Sequence, residues 1–241
     1  MQHSGSVALI TGASRGLGFA VAKEYARQGM SLVISARDST ALAEAARTLG
    51  HAPHVVALAG DVVDRAHAER LVSEAVRTFG GLDVLVNNAS ELGPSPLPSL
   101  PDLGTAEYER ILSVNAVAPL RLTQLALPYL TARRGVVINV SSDAGVNAYA
   151  GWGGYGSSKA ALEHWSRILA EEIKESGVRI FVVDPGDMDT HMHRLAEPGV
   201  DLSHLPKAEQ VAPAFLQMLS DARPFARFEA QKLIEPAGVA S

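Results

Sequence analysis

The 241-residue sequence predicts an α/β protein built on a doubly wound parallel sheet, with helices on both faces. Three observations carry this prediction. Short apolar runs alternate with longer segments of helical spacing, and a glycine-rich turn joins the first run to the first helical segment. Hydrophobic residues make up 47% of the chain but aromatic residues only 5%, so we expect small aliphatic side chains to pack the helices against the sheet.

Strands and helices alternate in a regular order along the chain. Glycine ends the first and third helical segments at Gly29 and Gly80, and Asp38, Ser39 and Thr40 are candidate N-caps of the second. The predicted strands are Val7–Thr11, Leu32–Ala36, Val55–Leu58, Val84–Val86, Val136–Val140 and Val178–Val183. The predicted helices are Gly16–Gln28, Asp38–Leu49, Asp64–Phe79, Thr105–Arg133, Tyr155–Ser176 and Gln210–Leu219.

Prolines interrupt this order in the middle of the chain. The segment Glu91–Gly104 contains four prolines and is predicted to be a loop. The long helical segment after it is predicted to break near Pro119, with Pro128 as a second candidate break. No repeat or linker divides the chain, so residues 1–241 are expected to form a single dinucleotide-binding domain.

Composition excludes several classes of function. The net charge of −5 gives no indication of a nucleic-acid or anionic-membrane partner. Because the chain has no cysteine, it has no disulfide, no thiolate catalyst and no cysteine-based zinc site. The first residues lack the basic and apolar regions of a signal peptide, and no apolar run reaches the roughly 20 residues needed to span a bilayer. We therefore expect a cytoplasmic protein.

The turn TGASRGLG, Thr11–Gly18, lies between the first strand and the first helix. Glycine allows a tight turn and close approach of the backbone to a pyrophosphate, and the following helix offers free N–H groups at its N-terminus. Glycine is also common in ordinary loops, but the strand–turn–helix context favours a Rossmann-like dinucleotide site. Its predicted contacts are Gly12, Ser14, Arg15, Gly16, Leu17 and Gly18.

The end of the second strand bears on the choice between NAD and NADP. An acid about 20 residues beyond the glycines is typical of NAD enzymes, whereas this chain has Ala36 there, followed by Arg37. Arg15 and Arg37 are predicted to bind a ribose 2′-phosphate, which favours NADP (NADPH). The alternatives are that both arginines are surface charges, or that Asp38 pairs with Arg37.

Tyr155 and Lys159 are spaced i, i+4, so a helix places both on one face. A free phenol has a pKa of about 10 and transfers protons poorly at neutral pH, and a nearby ammonium lowers that value. The pair is therefore a candidate proton donor to, or acceptor from, a carbonyl oxygen. The same spacing also occurs by chance on many helices.

Six short motifs occur in one order along the chain: TGxxxGxG, NNA at Asn87–Ala89, Asn115, NVSS at Asn139–Ser142, YxxxK and the Pro185–Gly186 pair. In this combination the sequence resembles the short-chain dehydrogenase/reductase family over residues 7–190. The resemblance implies that the protein is an oxidoreductase transferring hydride between a nicotinamide and a carbonyl or alcohol.

The resemblance also implies four catalytic residues. Tyr155 is expected to be the general acid in ketone reduction, with Lys159 lowering its pKa and holding the nicotinamide ribose. Ser142 is expected to bind the substrate oxygen; Ser141 is the alternative, but the spacing to Tyr155 favours Ser142. Asn115 is expected to interrupt its helix and to hold a water near Lys159.

Further cofactor contacts are implied at the ends of three strands. They are Asp61 and Val62, Asn88 and Ala89, and Pro185, Gly186, Met188 and Thr190. Two positions depart from the family pattern: Ser90 replaces a glycine, and Asp187 occupies a position that is usually apolar.

The substrate pocket is expected between three segments, 92–98, 146–152 and 188–195. Tyr149, Trp152, Met188, Met192 and Leu195 predict an apolar lining and an apolar carbonyl or alcohol substrate. His191, His193 and His204 also permit a metal-site interpretation, but they lack the rest of a zinc ligand set, and no metal is expected.

The C-terminal region departs from the family pattern. Ala226–Ala230 is a candidate seventh strand, but the family's glycine pair is absent, which argues against a tetramer. In the family, the two long helical segments pack against their copies, so the resemblance implies a homodimer. Two alternative functions remain open: an NAD-preferring alcohol dehydrogenase of the same family, and a non-catalytic dinucleotide-binding sensor.

Overall fold

The structure, a computed structural model, describes residues 3–50 and 52–234. Seven strands in this part of the chain form one parallel sheet in the order β3-β2-β1-β4-β5-β6-β7. The strands are β1 Val7–Thr11, β2 Ser31–Ala36, β3 Val55–Ala59, β4 Val84–Asn87, β5 Val136–Val140, β6 Arg179–Asp184 and β7 Phe225–Glu229. The predicted fold class, a doubly wound parallel sheet, is confirmed, and the candidate seventh strand is present.

Helices connect the strands and cover both faces of the sheet. The described helices are α1 Gly16–Arg27, α2 Ser39–Thr48, α3 Arg65–Phe79, α4 Thr105–Leu112, α5 Ala118–Arg133, α6 Gly153–Glu172, α7 His191–Ala196, α8 Ala208–Val211, α9 Pro213–Leu219 and α10 Ala230–Ile234.

Two apolar layers hold the helices to the sheet. On one face, Ile10 and Ile34 pack with α1 and α9, and the fully buried Tyr25 donates its hydroxyl hydrogen to the Phe215 carbonyl at 3.3 Å. On the other face, Leu9 and its neighbours pack against α3, α5 and α6. The central strands β1, β2, β4, β5 and β6 are buried on both sides and largely apolar, as expected for a parallel sheet, whereas the edge strands β3 and β7 are partly exposed.

The order in which the chain adds strands to the sheet reverses between β1 and β4. From β1 the chain proceeds outward to β2 and β3, then returns to place β4 on the other side of β1. Ligands of such sheets bind at this switch point, beyond the carboxyl ends of the strands. The glycine-rich turn after β1 and the NNA segment at the end of β4 therefore lie side by side.

The long helical segment breaks earlier than predicted. A π-helical turn, Ser113–Val117, separates α4 from α5, and in it the Ala118 N–H donates to the Ser113 carbonyl. Pro119 lies in the first turn of α5, where its missing N–H removes no hydrogen bond of the helix. Pro119 therefore follows the break and does not cause it. Pro128 lies inside α5 without ending it, contrary to the candidate break there.

The region after β6 contains more helix than the sequence predicted. Most of the pocket segment 188–195 belongs to α7, a helix that the sequence does not predict, and its N-cap Thr190 accepts a hydrogen bond from the His193 N–H at 3.3 Å. The helix expected at 210–219 is divided into α8 and α9 just before Pro213. The described residues do not include 1, 2, 51 and 235–241. The predictions made for those residues, which concern the N-terminal signal peptide and membership of the single domain, therefore lie outside the described part of the chain.

A search of the described helices finds none with the length and apolar character needed to cross a membrane.

We expect Asp64→Ala to lower the free energy of unfolding by about 1 kcal/mol, because it removes the N-cap of α3. The Asp64 carboxylate accepts a hydrogen bond from the Ala66 N–H at 2.9 Å. Urea denaturation measures the change, with Asp64→Asn, which keeps an acceptor, as the control. An equal loss in both variants would assign the effect to the charge instead of the cap.

Candidate active site

A cleft of about 810 Å³ opens at the carboxyl edge of the sheet. Segments that follow β1, β4, β5 and β6 line it, so residues far apart in the sequence meet there. It brings together the predicted site residues Gly12, Ser14, Arg15, Gly16, Leu17, Arg37, Asp61, Val62, Asn88, Ala89, Ser142, Tyr155, Lys159, Pro185, Gly186, Met188 and Thr190. Gly18 and Asn115 are not part of the lining.

The glycine-rich turn is held by the segment after β4. The Asn88 carboxamide donates to the carbonyls of Thr11 and Gly12, at 2.9 and 3.1 Å. The Thr11 hydroxyl oxygen in turn accepts hydrogen bonds from the Asn88 and Ala89 N–H groups. A Cβ on Gly12 would lie 2.8 Å from the Asn88 amide nitrogen, and Gly12 has a φ of +66°, so only glycine fits.

Gly18 gives close packing within the turn. A Cβ there would lie 2.5 Å from the Gly12 carbonyl oxygen. Gly18 therefore allows α1 to pack closely against the turn, and its contact with the cofactor stays a prediction. No side chain caps the N-terminus of α1, which leaves its first N–H groups directed at the cleft and suited to bind a phosphate.

The two arginines predicted to select NADP both reach the cleft. Arg37 donates to the Glu91 carboxylate at 3.0 Å, with 62% of its side chain exposed. Asp38 does not pair with it, because its carboxylate caps α2 through the N–H groups of Thr40 and Ala41. Among the described residues, Arg15 takes part in no ion pair. Arg15, in the turn after β1, therefore keeps its charge available to an anion, whereas Arg37, after β2, is shared with Glu91.

Asp61, predicted to meet the adenine, lines the cleft just after β3, and its carboxylate already has partners. It accepts a hydrogen bond from Arg110 at 2.7 Å and one from the Val63 N–H at 3.1 Å. Partial burial acts to raise the pKa of Asp61, but the Val63 N–H and the Arg110 guanidinium outweigh it, so the pKa lies below its usual value.

Tyr155 and Lys159 are both buried at the floor of the cleft, 9% and 2% exposed. The Lys159 Nζ donates to the Val140 carbonyl at 2.8 Å and lies 5.4 Å from the centroid of the Tyr155 ring. Burial lowers the pKa of Lys159 from 10.5 to about 7, although the Glu163 carboxylate acts to raise it.

The prediction that the pKa of Tyr155 is lowered is wrong for the protein without a bound cofactor. Burial raises the pKa of Tyr155 to about 12, and the carboxylates of Asp184 and Asp143 add to the rise. Hydrogen bonding with Ser90 and Ser142 opposes it but does not outweigh burial. At neutral pH the phenol therefore carries its proton.

The two serines after β5 have different partners. The Ser141 hydroxyl donates to the buried Glu163 carboxylate at 2.7 Å, which directs it away from the phenol. The Ser142 hydroxyl donates to Asp143 at 3.0 Å and also interacts with the Tyr155 hydroxyl. The geometry supports Ser142 over Ser141 as the group that meets a substrate oxygen.

The Asn115 side chain is engaged within the protein. Its oxygen accepts from the Glu91 N–H and the Ser90 hydroxyl at 2.7 and 3.1 Å. Its nitrogen donates to the Glu91 carbonyl and the Ser158 hydroxyl at 2.8 and 2.9 Å. The π-helical turn that contains Asn115 interrupts the helix, as expected. The Asn115 carboxamide, however, joins the segment after β4 to α6 and does not line the cleft.

The substrate end of the cleft is lined by Trp152, Met188, Met192 and Leu195, as predicted. Trp152 packs edge-on against Tyr155, with ring centroids 5.8 Å apart. Tyr149 is the exception, since it is half exposed and outside the lining, and its hydroxyl donates to Asp143 at 2.6 Å.

The histidine-rich segment has carboxylate neighbours. His193 lies 3.4 Å from Glu197 and 3.8 Å from Asp187. In the part of the chain that the structure describes, no group of three or more His, Cys, Asp or Glu side chains is arranged to hold a metal ion. Asp187, a departure from the family pattern, is mostly exposed, and its carbonyl accepts from Gln231 at 2.9 Å.

Sequence reasoning missed several charged residues beside the site. Glu163 follows Lys159 by four residues on α6, and this spacing alone indicates that the two side chains share a helix face. Asp184 ends β6, and Arg227 lies on β7. No sequence signal pointed to Arg227, because its contacts depend on the parallel pairing of β7 with β6.

Comparison with known proteins agrees with this geometry. Residues 6–200 match the family model described as short chain dehydrogenase. A human relative, dehydrogenase/reductase SDR family member 2, mitochondrial, is 38% identical over 192 residues, or 78% of this chain and 67% of the relative.

Two solved structures are also similar. A metagenomic short-chain oxidoreductase in complex with NADP has a TM-score of 0.80 and 28% identity, covering 95% of this chain and 97% of that one. An alcohol dehydrogenase from Thermococcus sibiricus complexed with 5-hydroxy-NADP has a TM-score of 0.82 and 27% identity, covering 97% and 99%.

The glycine-rich turn and the Tyr155–Lys159 pair in one cleft are the features of an oxidoreductase that binds a nicotinamide dinucleotide. The chain belongs to the short-chain dehydrogenase/reductase family.

The buried Lys159 makes stability depend on pH. Between about 7 and the ordinary value of 10.5, the unfolded chain holds a proton that the folded protein has released. Stability linked to this group therefore rises with pH across that window. We expect the free energy of unfolding of the wild type to rise relative to Lys159→Met as pH increases from about 7 to 10.

Urea denaturation across this pH range measures the difference. Lys174→Met is the matched control, because the Lys174 side chain is 54% exposed and should show no such trend. A constant difference between wild type and Lys159→Met would contradict the lowered pKa.

Proposed function

We propose that this protein is an NADPH-dependent reductase of ketones or aldehydes, or catalyses the reverse alcohol oxidation, with Tyr155 as the proton donor. One observation carries the proposal: the Tyr155 phenol, the Ser142 hydroxyl and the Lys159 ammonium share the cleft that contains the glycine-rich turn. We further propose that the whole chain forms one cytoplasmic domain.

The residues present fit a nicotinamide dinucleotide. Glycines bring the backbone within reach of a pyrophosphate, and the uncapped N-terminus of α1 adds N–H donors. Asp61 and Val62 would meet the adenine end, and residues 185–190 would meet the nicotinamide end. When bound, NADPH supplies the hydride that converts a carbonyl carbon to an alcohol carbon.

The protein's own groups handle the oxygen of the substrate. Ser142 would donate to the carbonyl oxygen and hold it beside the phenol as negative charge develops. Tyr155 would transfer its proton to that oxygen, which completes the alcohol. A phenol with a pKa raised to about 12 is protonated at neutral pH, so the protein's own groups favour reduction.

Lys159 would restore the proton to Tyr155. Its pKa of about 7 allows it to gain and lose a proton near neutral pH. The Lys159 Nζ lies over the Tyr155 ring, so a bridging hydroxyl or water is needed to carry the proton to the phenol oxygen. The resemblance implies that Asn115 holds such a water. The Asn115 side chain itself acts by positioning, through its hydrogen bonds to Ser158 and to residues 90–91.

Preference for NADP is supported by Arg15 and Arg37, and by the absence of an acid at Ala36. Glu91 competes for Arg37, since their side chains are 3.0 Å apart. A 2′-phosphate carries more negative charge than one carboxylate and would have Arg15 as a second cationic partner, so it would compete with Glu91 for Arg37.

The substrate is proposed to be a small carbonyl compound or alcohol with an apolar part. The supporting observation is the wall formed by Trp152, Met188, Met192 and Leu195. We also propose a homodimer, because Val117, Tyr129 and Ile168 leave apolar side chains exposed near α5 and on α6. A tetramer is not proposed.

Tyr155→Phe is expected to reduce the rate of carbonyl reduction by on the order of 10²–10⁴-fold, because it removes the proton donor and keeps the ring. Loss of NADPH absorbance, followed with a panel of ketones, aldehydes and quinones, measures the rate. The dissociation constant for NADPH, from fluorescence titration, should stay within about twofold, since ring packing is preserved.

Two outcomes would contradict the proposal. A variant that retains the wild-type rate would remove Tyr155 from the chemistry. A wild-type protein that binds NADPH but reduces nothing in the panel would favour the dinucleotide-binding sensor.

Arg37→Ala is expected to raise KM for NADPH by roughly 10–100-fold, the effect of losing a charge-assisted hydrogen bond worth about 1.5–3 kcal/mol. KM for NADH should change little, because that cofactor lacks the 2′-phosphate. Arg47→Ala is the matched control, as Arg47 is an exposed arginine on α2 outside the cleft. Equal losses with both cofactors would favour the NAD-preferring alternative.

A further inference from the structure

Arg227, on the edge strand β7, reaches behind the catalytic residues. Its Nε lies 3.1 and 3.2 Å from the two carboxylate oxygens of Glu163. Its Nη2 lies 3.6 Å from the Asp184 carboxylate and 3.5 Å from the Ser142 carbonyl. One guanidinium therefore contacts α6, the end of β6 and the segment after β5.

These contacts are largely shielded from water. The side chains of Glu163, Asp184 and Arg227 are 5%, 11% and 23% exposed. A buried carboxylate is stable only with a counter-ion and hydrogen-bond donors. Arg167 also lies near Glu163, but at 3.8 Å and with 56% of its side chain exposed, so Arg227 is the main partner.

Each partner of Arg227 is joined to the active site. Glu163 is one helical turn beyond Lys159 and accepts the Ser141 hydroxyl hydrogen at 2.7 Å. Asp184 accepts the Gly186 N–H at 2.9 Å, which shapes the Pro185–Gly186 turn of the cleft. Burial raises the pKa of Asp184, and the Gly186 N–H and Arg227 oppose that rise.

The fork shape of the guanidinium suits this position. Arginine presents several N–H donors in one plane, so it can meet two carboxylates and a carbonyl at once. A lysine would supply the charge but not the same set of directions. The geometry therefore favours a role of Arg227 in positioning the segments that it contacts over a role in neutralising the charge of Glu163 alone.

We propose that Arg227 is a positioning residue for the reaction, which fixes the backbone at Ser142 and the Pro185–Gly186 turn relative to Tyr155. This inference rests on the proposed function, because it assigns a role to Ser142 in substrate binding. It also gives β7 a part in catalysis: the strand carries the side chain that holds the ends of β5 and β6 together.

The test compares Arg227→Met with Arg227→Lys and with Arg167→Met as the matched control. We expect Arg227→Met to lower kcat at least about tenfold while KM for NADPH changes less than about threefold, because a misplaced reacting group affects chemistry more than binding. Arg227→Lys should recover part of kcat, and Arg167→Met should resemble the wild type. A wild-type kcat in Arg227→Met would overturn the proposal.

A second variant separates positioning from stability. Arg227→Met leaves the buried Glu163 without its main counter-ion, which by itself destabilises the fold, whereas the double variant Glu163→Gln with Arg227→Met removes both charges and should regain stability. We expect its kcat to remain low, since the contact with the Ser142 carbonyl is still missing. A return of kcat to the wild-type value would show that Arg227 only neutralises Glu163, and would overturn the proposal.

Hydrogen–deuterium exchange tests the same idea without turnover. In the double variant we expect faster exchange in peptides covering 141–145 and 184–188, with the β1–β2 region unchanged. Unchanged exchange at 141–145 and 184–188 would overturn the positioning role even if the wild type reduced no compound in the panel. A failure of the proposed function would instead appear as a wild type without turnover.

Discussion

The burial of one ammonium group governs the arrangement of the site. Lys159 is almost completely withdrawn from water, which disfavours its charged form and lowers its pKa to about 7. The Val140 carbonyl, the face of the Tyr155 ring and the carboxylate of Glu163 partly compensate for the lost hydration. Glu163 is itself buried and requires Arg227. Tyr155 and Lys159 are therefore linked to a chain of charged side chains that runs from α6 to the edge of the sheet.

Parallel topology brings these groups together. All seven described strands point the same way, so the segments that follow them meet at one edge. Asn88 binds the glycine-rich turn to the end of β4, and Asn115 binds the next segment to α6. Polar side chains thus join the loops of the cleft to one another, while the apolar layers on the two faces hold the sheet beneath them. The proposed cofactor contacts and the proposed catalytic residues therefore share a single polar framework.

The fold and the main site residues could be predicted because their signals are local. Apolar runs mark strands buried on both faces, and Tyr155 and Lys159 are close in sequence as well as in space. Features that depend on contacts between distant segments could not be predicted. The raised pKa of Tyr155 depends on burial that no spacing reveals, and the contact of Arg227 with Glu163 depends on the pairing of β7 with β6. The helix α7 was missed because six residues carry too little periodicity.

The connection between β6 and β7 has a consequence for how such a protein diverges. Residues 185–224 cross from one strand to its parallel neighbour, and the same stretch supplies Met188, Met192 and Leu195 to the cleft. None of these three residues belongs to the sheet. Substitution of Met192 or Leu195, which belong neither to the buried core nor to the predicted cofactor contacts, can therefore alter which compounds the proposed reductase accepts with little effect on the sheet.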